Sequence, residues 1–145
     1  MKKYISVLII LCMLCIAATG CAGKEDNTLK PMEGVDVDLA VLNGTMLSAQ
    51  LNNMMENDNE YFGKTVRLRG IYAASYFEGT SKYYYWVITN GCCNERVEFL
   101  WNGDHKYPDD YPADGVEIEL IGKFGSYTEL DVSYYCIKVD DINIL

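Results

Sequence analysis

Histidine and basic side chains are scarce in this chain. His105 is the single imidazole in 145 residues, and 12 lysines and arginines face 21 aspartates and glutamates, a formal net charge of −9. A surface so short of cations repels nucleic acid, whose binding runs on Lys and Arg contacts to phosphate. It also has no polybasic attraction for anionic lipid. Cys12-x-x-Cys15 lies inside the apolar stretch near the start, and beyond Cys21 no Cys-x-x-Cys pair is present for redox work. No serine or cysteine sits in a recognisable nucleophile motif, and Glu98 has no identifiable second acid for acid–base chemistry. Asp104, Asp109, Asp110 and Asp114 lack the terminal Glu of a twelve-residue calcium loop, so they read as a solvated loop. These gaps exclude the common catalytic classes: no enzyme activity is expected and no catalytic residue is assigned.

Long apolar runs are also missing, apart from one at the start. Met1-Lys2-Lys3 is a short basic opening, followed by an apolar stretch from Ile5 to Ala18. That stretch is too short to cross a bilayer, which needs about 20 residues, and fits the hydrophobic region of a secretory signal. Ala18-Thr19-Gly20-Cys21 follows. It resembles the bacterial lipobox, a small-residue tripeptide before a cysteine. The resemblance implies a signal peptide over 1–20 and a lipidated Cys21 (diacylglyceryl thioether and palmitate-type chains), hence an extracytoplasmic protein attached to the cell membrane through its N-terminal lipid. Two acyl chains hold where one is marginal. Removing residues 1–20 takes away Lys2 and Lys3 and no acid, so the charge of the remainder becomes −11. Residues 21–42 are polar, carry Pro31 and Gly34, lack periodicity, and read as a flexible tether.

The domain is expected over 43–145. Asn43-Gly44-Thr45 offers capping side chains, and Leu47, Leu51, Met54 and Met55 then recur at helical spacing, which predicts one amphipathic helix. Five strands follow: Lys64 to Phe77, Tyr83 to Thr89, Arg96 to Trp101, Val116 to Phe124, and Ser133 to about Val139, with turns at 78–81 and Asn90-Gly91 and a loop over 102–115. The first and fourth strands share a pattern. Val66-x-Leu68-x-Gly70-x-Tyr72 matches Ile118-x-Leu120-x-Gly122-x-Phe124, with Arg67 and Arg69 at the polar positions of one and Glu117 and Glu119 at those of the other. Opposite charges across neighbouring strands are worth about 0.2–1 kcal/mol a pair, so these two strands are expected to pair, with a glycine in each letting the sheet curl.

One helix before five short strands predicts a mainly β domain, a small antiparallel barrel or sandwich. The phrase from Tyr61 to Gly70 and the glycine-bearing first strand resemble an OB-fold, and the resemblance implies a five-stranded antiparallel barrel. The helix of that fold normally links strands three and four; here it precedes strand one. The Gly63-Lys64 strand, Cys92-Cys93 and Glu98-Phe99 are similar to residues of small Firmicute-like lipoproteins and of the soluble domain of a permease-subunit family. The resemblance implies fold and location and carries no mechanism.

Three cysteines remain after Cys21: Cys92, Cys93 and Cys136. Three readings stay open: a disulfide from Cys136 to Cys92 or Cys93, three buried reduced thiols, or a zinc site made by the three with His105. Adjacent side chains on a strand point to opposite faces, which counts against the zinc set. No cofactor is therefore expected, with zinc the alternative. Tyr83, Tyr84, Tyr85 and Trp86 populate both faces of one strand, and Tyr134 and Tyr135 both faces of another. OB barrels bind ligands on the face of strands two and three, so Tyr84, Trp86 and Glu98 are the candidate ligand face. A small ligand or an envelope protein is the expected partner.

Overall fold

Alternating apolar and polar residues build most of this molecule. The computed structural model describes residues 29–89 and 94–145. The strands are β1 (Val37–Asp38), β2 (Thr65–Phe77), β3 (Lys82–Ile88), β4 (Arg96–Trp101), β5 (Glu117–Glu129), β6 (Val132–Val139) and β7 (Asn143–Ile144). The helices are α1 (Gly44–Glu56) and the single turn α2 (Asp58–Tyr61). Asn43 caps α1 by accepting from the Met46 amide, and Leu47, Leu51 and Met54 are its buried stripe. Met55, expected on that stripe, is 41% exposed.

All seven strands belong to one mixed sheet. β2 pairs with β3, β3 with β4, β4 with β6, β6 with β5, and β5 again with β2. The expected antiparallel arrangement needs correction at two pairings. β4 and β6 run parallel, because β5 returns to β2 before β6 turns back, which sets β6 in the direction of β4. β1 lies parallel on β2. β1 and β7 are two-residue strands, too short for periodicity to reveal. β5 runs to Glu129, five residues beyond the expected end at Phe124.

The β2–β5 ladder carries the anticipated pairing. Leu68 faces Leu120, while Val66 faces Gly122 and Gly70 faces Ile118. The glycines therefore stand at opposite ends of a near-symmetric ladder. A Cβ at Gly70 would collide with the Ile88 carbonyl of β3, and one at Gly122 with the Lys138 carbonyl of β6. Each glycine thus lets a neighbouring strand cross close over the ladder. Arg67 reaches Glu119 at 2.7 Å and Arg69 reaches Glu117 at 2.9 Å.

Val66, Leu68, Tyr72, Val87, Phe99, Ile118, Leu120, Ile137 and Val139 form the core, closed by Leu47, Leu51 and Met54 of α1. The loop after β4 packs Tyr111 on Tyr85 (centroids 4.0 Å apart) and near Tyr72 and Trp101. The segment expected as tether contributes from its C-terminal end: Leu39 is fully buried, and Asp38 accepts from the Met32 and Ala40 amides and from Arg67. No helix among the described residues is long and apolar enough to cross a membrane.

Candidate functional site

Two hairpins rise from the sheet and frame a groove. One is β2–β3, with Tyr76 opposite Tyr83 next to the turn at 78–81. The other is β5–β6, in which Glu129 faces Val132 across the two-residue turn Leu130-Asp131. Both turn residues have positive φ, 50° and 62°, as a type I′ turn requires. Leucine in that conformation costs about 1–2 kcal/mol, yet its side chain projects from the tip at 71% exposure. Phe77 projects from the other hairpin at 55%. Between them lies a hollow of about 310 Å³ lined by Phe77, Tyr84, Trp86, Glu98, Tyr127 and Leu130, among others. A second hollow of about 290 Å³ continues past Trp86 and Glu98 toward Leu51, Met55 and Cys136.

The expected ligand face is brought together here. Trp86 is the cross-strand partner of Glu98, and Tyr84, Trp86 and Glu98 all line the groove. Glu98 differs from its expected surface position. It does point away from Val97 and Phe99, but only 5% of it is exposed, because the β5–β6 hairpin leans over it. The Tyr127 hydroxyl donates to its carboxylate at 2.7 Å. Burial pushes the Glu98 carboxyl above its ordinary range, against the Tyr127 bond, which works to lower it. Burial likewise raises the Tyr127 phenol, assisted by Glu98. Glu98 makes no ion pair among the described residues. The Trp86 indole N–H is buried without a hydrogen-bond partner among the described residues, a cost of about 1–3 kcal/mol.

A clasp spans the two hairpin tips. Lys82 pairs with Glu129 at 2.6 Å, and the Tyr84 hydroxyl donates to the same carboxylate while also meeting Thr80 at 2.7 Å. The Lys82 and Tyr84 contacts hold Glu129 below the usual carboxylate range. Tyr134 stacks on Tyr127 with centroids 5.5 Å apart. Tyr135 faces the other way, stacking on Phe124 and donating to Asp58.

The remaining candidates separate. Cys136 is buried and free on β6, its thiol pushed up to about 11 by burial, with Glu98 adding to the rise and Lys138 opposing it. His105 stacks on Trp101 at 3.7 Å in the loop after β4 and bonds the Asn102 carbonyl. Cys21, Cys92 and Cys93 lie outside the described residues. Among the described residues no group of three or more metal-ligating side chains converges. Asp114 accepts from the Ala74 amide and Asp110 from that of Lys106, so these two acids hold their loop together.

Tyr127, Glu129 and Leu130 were not expected in the site. Gly125 and Ser126 mimic the end of a strand, and Leu130-Asp131 lacks the Gly or Asn that flags a tight hairpin. The alternation of Tyr127 with Glu129 was the available signal. No family model matches this chain, and neither a curated protein nor a solved structure does.

Proposed function

We propose that this chain is an extracytoplasmic lipoprotein, anchored to the bacterial cell membrane through an acylated Cys21, whose domain is a five-stranded OB-like barrel acting as a non-catalytic binding module. The circuit of pairings β2–β3–β4–β6–β5–β2, with β4 parallel to β6, supports the barrel. It runs in the strand order 1-2-3-5-4 of an OB-fold, whose ligands lie on strands two and three between loops 1–2 and 4–5. In this chain those strands are β3 and β4, and those loops are the two hairpin tips.

One observation carries the binding role: a carboxylate, Glu98, buried at the floor of an open aromatic groove with a single phenol for a partner among the described residues. Buried charges in a scaffold are normally paired. Contact rather than catalysis suits the groove, because the Cys136 thiol stays protonated near neutrality and a thiolate is the form that attacks. The acidic surface leaves a small ligand or an envelope protein as the partner, and not nucleic acid.

The two tryptophans make the test direct. Trp101 donates its indole N–H to the Asp140 carbonyl and serves as control for Trp86. A panel of monosaccharides, dipeptides and organic cations is titrated while both indole N–H resonances are followed. Movement of the Trp86 signal alone, by any panel member, supports the groove; silence across the panel at millimolar concentration removes it. Separately, Cys21→Ala shifts the protein from the membrane to the soluble fraction if the lipid is the anchor.

A further inference from the structure

We infer that the groove binds an organic ammonium cation, with Glu98 as its counter-charge and Tyr84, Trp86, Tyr127 and Tyr134 as its walls. This rests on the binding-module reading and names the ligand class for the same site. Two independent features lead to it. The first is the carboxylate. Glu98 is 5% exposed, and its one hydrogen-bond partner among the described residues, Tyr127, is neutral. A buried carboxylate held only by a phenol lacks the positive charge that normally offsets its desolvation. Elsewhere in the same sheet the buried Arg67 is matched by two acids, so the fold does supply counter-ions where a charge is structural.

The second feature is the wall. Six of the lining side chains are aromatic, Tyr84, Trp86, Tyr127 and Tyr134 among them, and ring faces attract cations through their quadrupole, most strongly when water is excluded. An ammonium carrying methyl groups suits such a wall better than a hydrated metal ion, because its apolar surface is covered while its charge meets the carboxylate. Phe77 and Leu130 at the mouth extend the apolar contact. Anions are disfavoured by Glu98 and Glu129, and by the net charge of the chain. Arg96 also lines the groove, is exposed and makes no ion pair among the described residues. It acts as a weak competitor for the same field.

An ammonium group of this kind comes either as a free small molecule or as the headgroup of a zwitterionic lipid. The full chain, purified in a maltoside detergent, is titrated with three probes: choline, glycerophosphocholine, and 3,3-dimethylbutanol, the uncharged carbon isostere of choline. Choline or glycerophosphocholine is expected to move the Trp86 indole signal saturably, at least about tenfold more tightly than dimethylbutanol. Tighter binding of glycerophosphocholine assigns the lipid headgroup, and tighter binding of choline the free molecule. Glu98→Gln keeps an acceptor for Tyr127. It is expected to weaken the charged probes about tenfold while leaving dimethylbutanol unchanged, with the Trp101 signal confirming the fold. Arg96→Ala tightens the charged probes. Equal binding of choline and its isostere, or indifference to Glu98→Gln, overturns the inference. If the cations leave Trp86 unmoved while a sugar or dipeptide shifts it, the ligand class falls and the binding module stands; if nothing shifts it, both fall.

Discussion

Arg67 and Glu98 are both buried charges on strands of one sheet, and their surroundings are opposite. Arg67 is 7% exposed and lies between Glu119 at 2.7 Å and Asp38 at 3.3 Å, with the Lys30 carbonyl on the same guanidinium. Burial works to lower its pKa, but the hydrogen bonds and charges of Glu119 and Asp38 outweigh it, so the net direction is upward. Glu98 has a phenol and, among the described residues, no ion pair, and burial dominates its titration. The first arrangement fastens the segment around Asp38 to β2. The second leaves a buried carboxylate without an ion-pair partner among the described residues. The contrast separates a buried charge matched by ion pairs from one that is not, the difference on which the proposed binding role rests.

The comparison breaks most severely at Arg67. Arg67→Met leaves Asp38 and Glu119 facing each other without a cation, and is expected to cost about 3–5 kcal/mol in urea unfolding. A loss below about 1 kcal/mol would show that the cluster is solvated and the contrast false. Next is Tyr127→Phe, which strips Glu98 of its hydrogen bond. A bond to a charged group is worth about 1.5–3 kcal/mol, and the Glu98 carboxyl moves further up on titration by carbon-detected NMR, since the Tyr127 bond is what holds it down.

Glu98→Gln acts in the other direction. It removes an uncompensated buried charge, and at neutral pH it is expected to stabilise the fold by about 1 kcal/mol or less. The sign follows from linkage: a carboxyl raised in the folded state binds its proton more tightly there than in the unfolded chain, so Glu98 favours folding increasingly as pH falls from its raised value toward the ordinary carboxylate range, and disfavours it above. The advantage of the glutamine variant therefore shrinks on acidification, read as a converging pair of melting curves. The smallest effect belongs to the clasp. Lys82→Ala removes an exposed pair with Glu129 and is expected to leave global stability unresolved from wild type, while amide exchange at the turn residues 78–81 and 130–131 quickens. Glu129, held below its ordinary range by Lys82 and Tyr84, releases the clasp as pH falls through that depressed value, the reverse of Glu98.

Much of the scaffold could be read from alternation. The β2–β5 pairing, its crossed charges and the roles of Gly70 and Gly122 follow from two matched strings of residues, because a period of two fixes which side chains share a face. The α1 stripe followed from its spacing for the same reason, Met55 excepted. The site was half legible: Tyr84, Trp86 and Glu98 were named, but the burial of Glu98 was not. Burial there depends on a hairpin about 30 residues further along whose turn, Leu130-Asp131, carries neither the Gly nor the Asn that flags a tight hairpin. A local pattern shows which face a side chain takes, not which distant segment will lie across it. The parallel pairings were hidden for a related reason, since the direction of β6 beside β4 is set by the path of β5.

The two shortest strands have a consequence for behaviour at high density. Where β2 and β5 diverge from β3 and β6, each would present bare amides and carbonyls along its outer rim. β1 lies against Val66 and Arg67 on one rim, and β7 against Ile118 and Glu119 on the other. Unsatisfied rims of this sort recruit strands from neighbouring molecules and seed aggregates. With β1 and β7 paired there, these two stretches of rim are not open templates for a strand from another molecule.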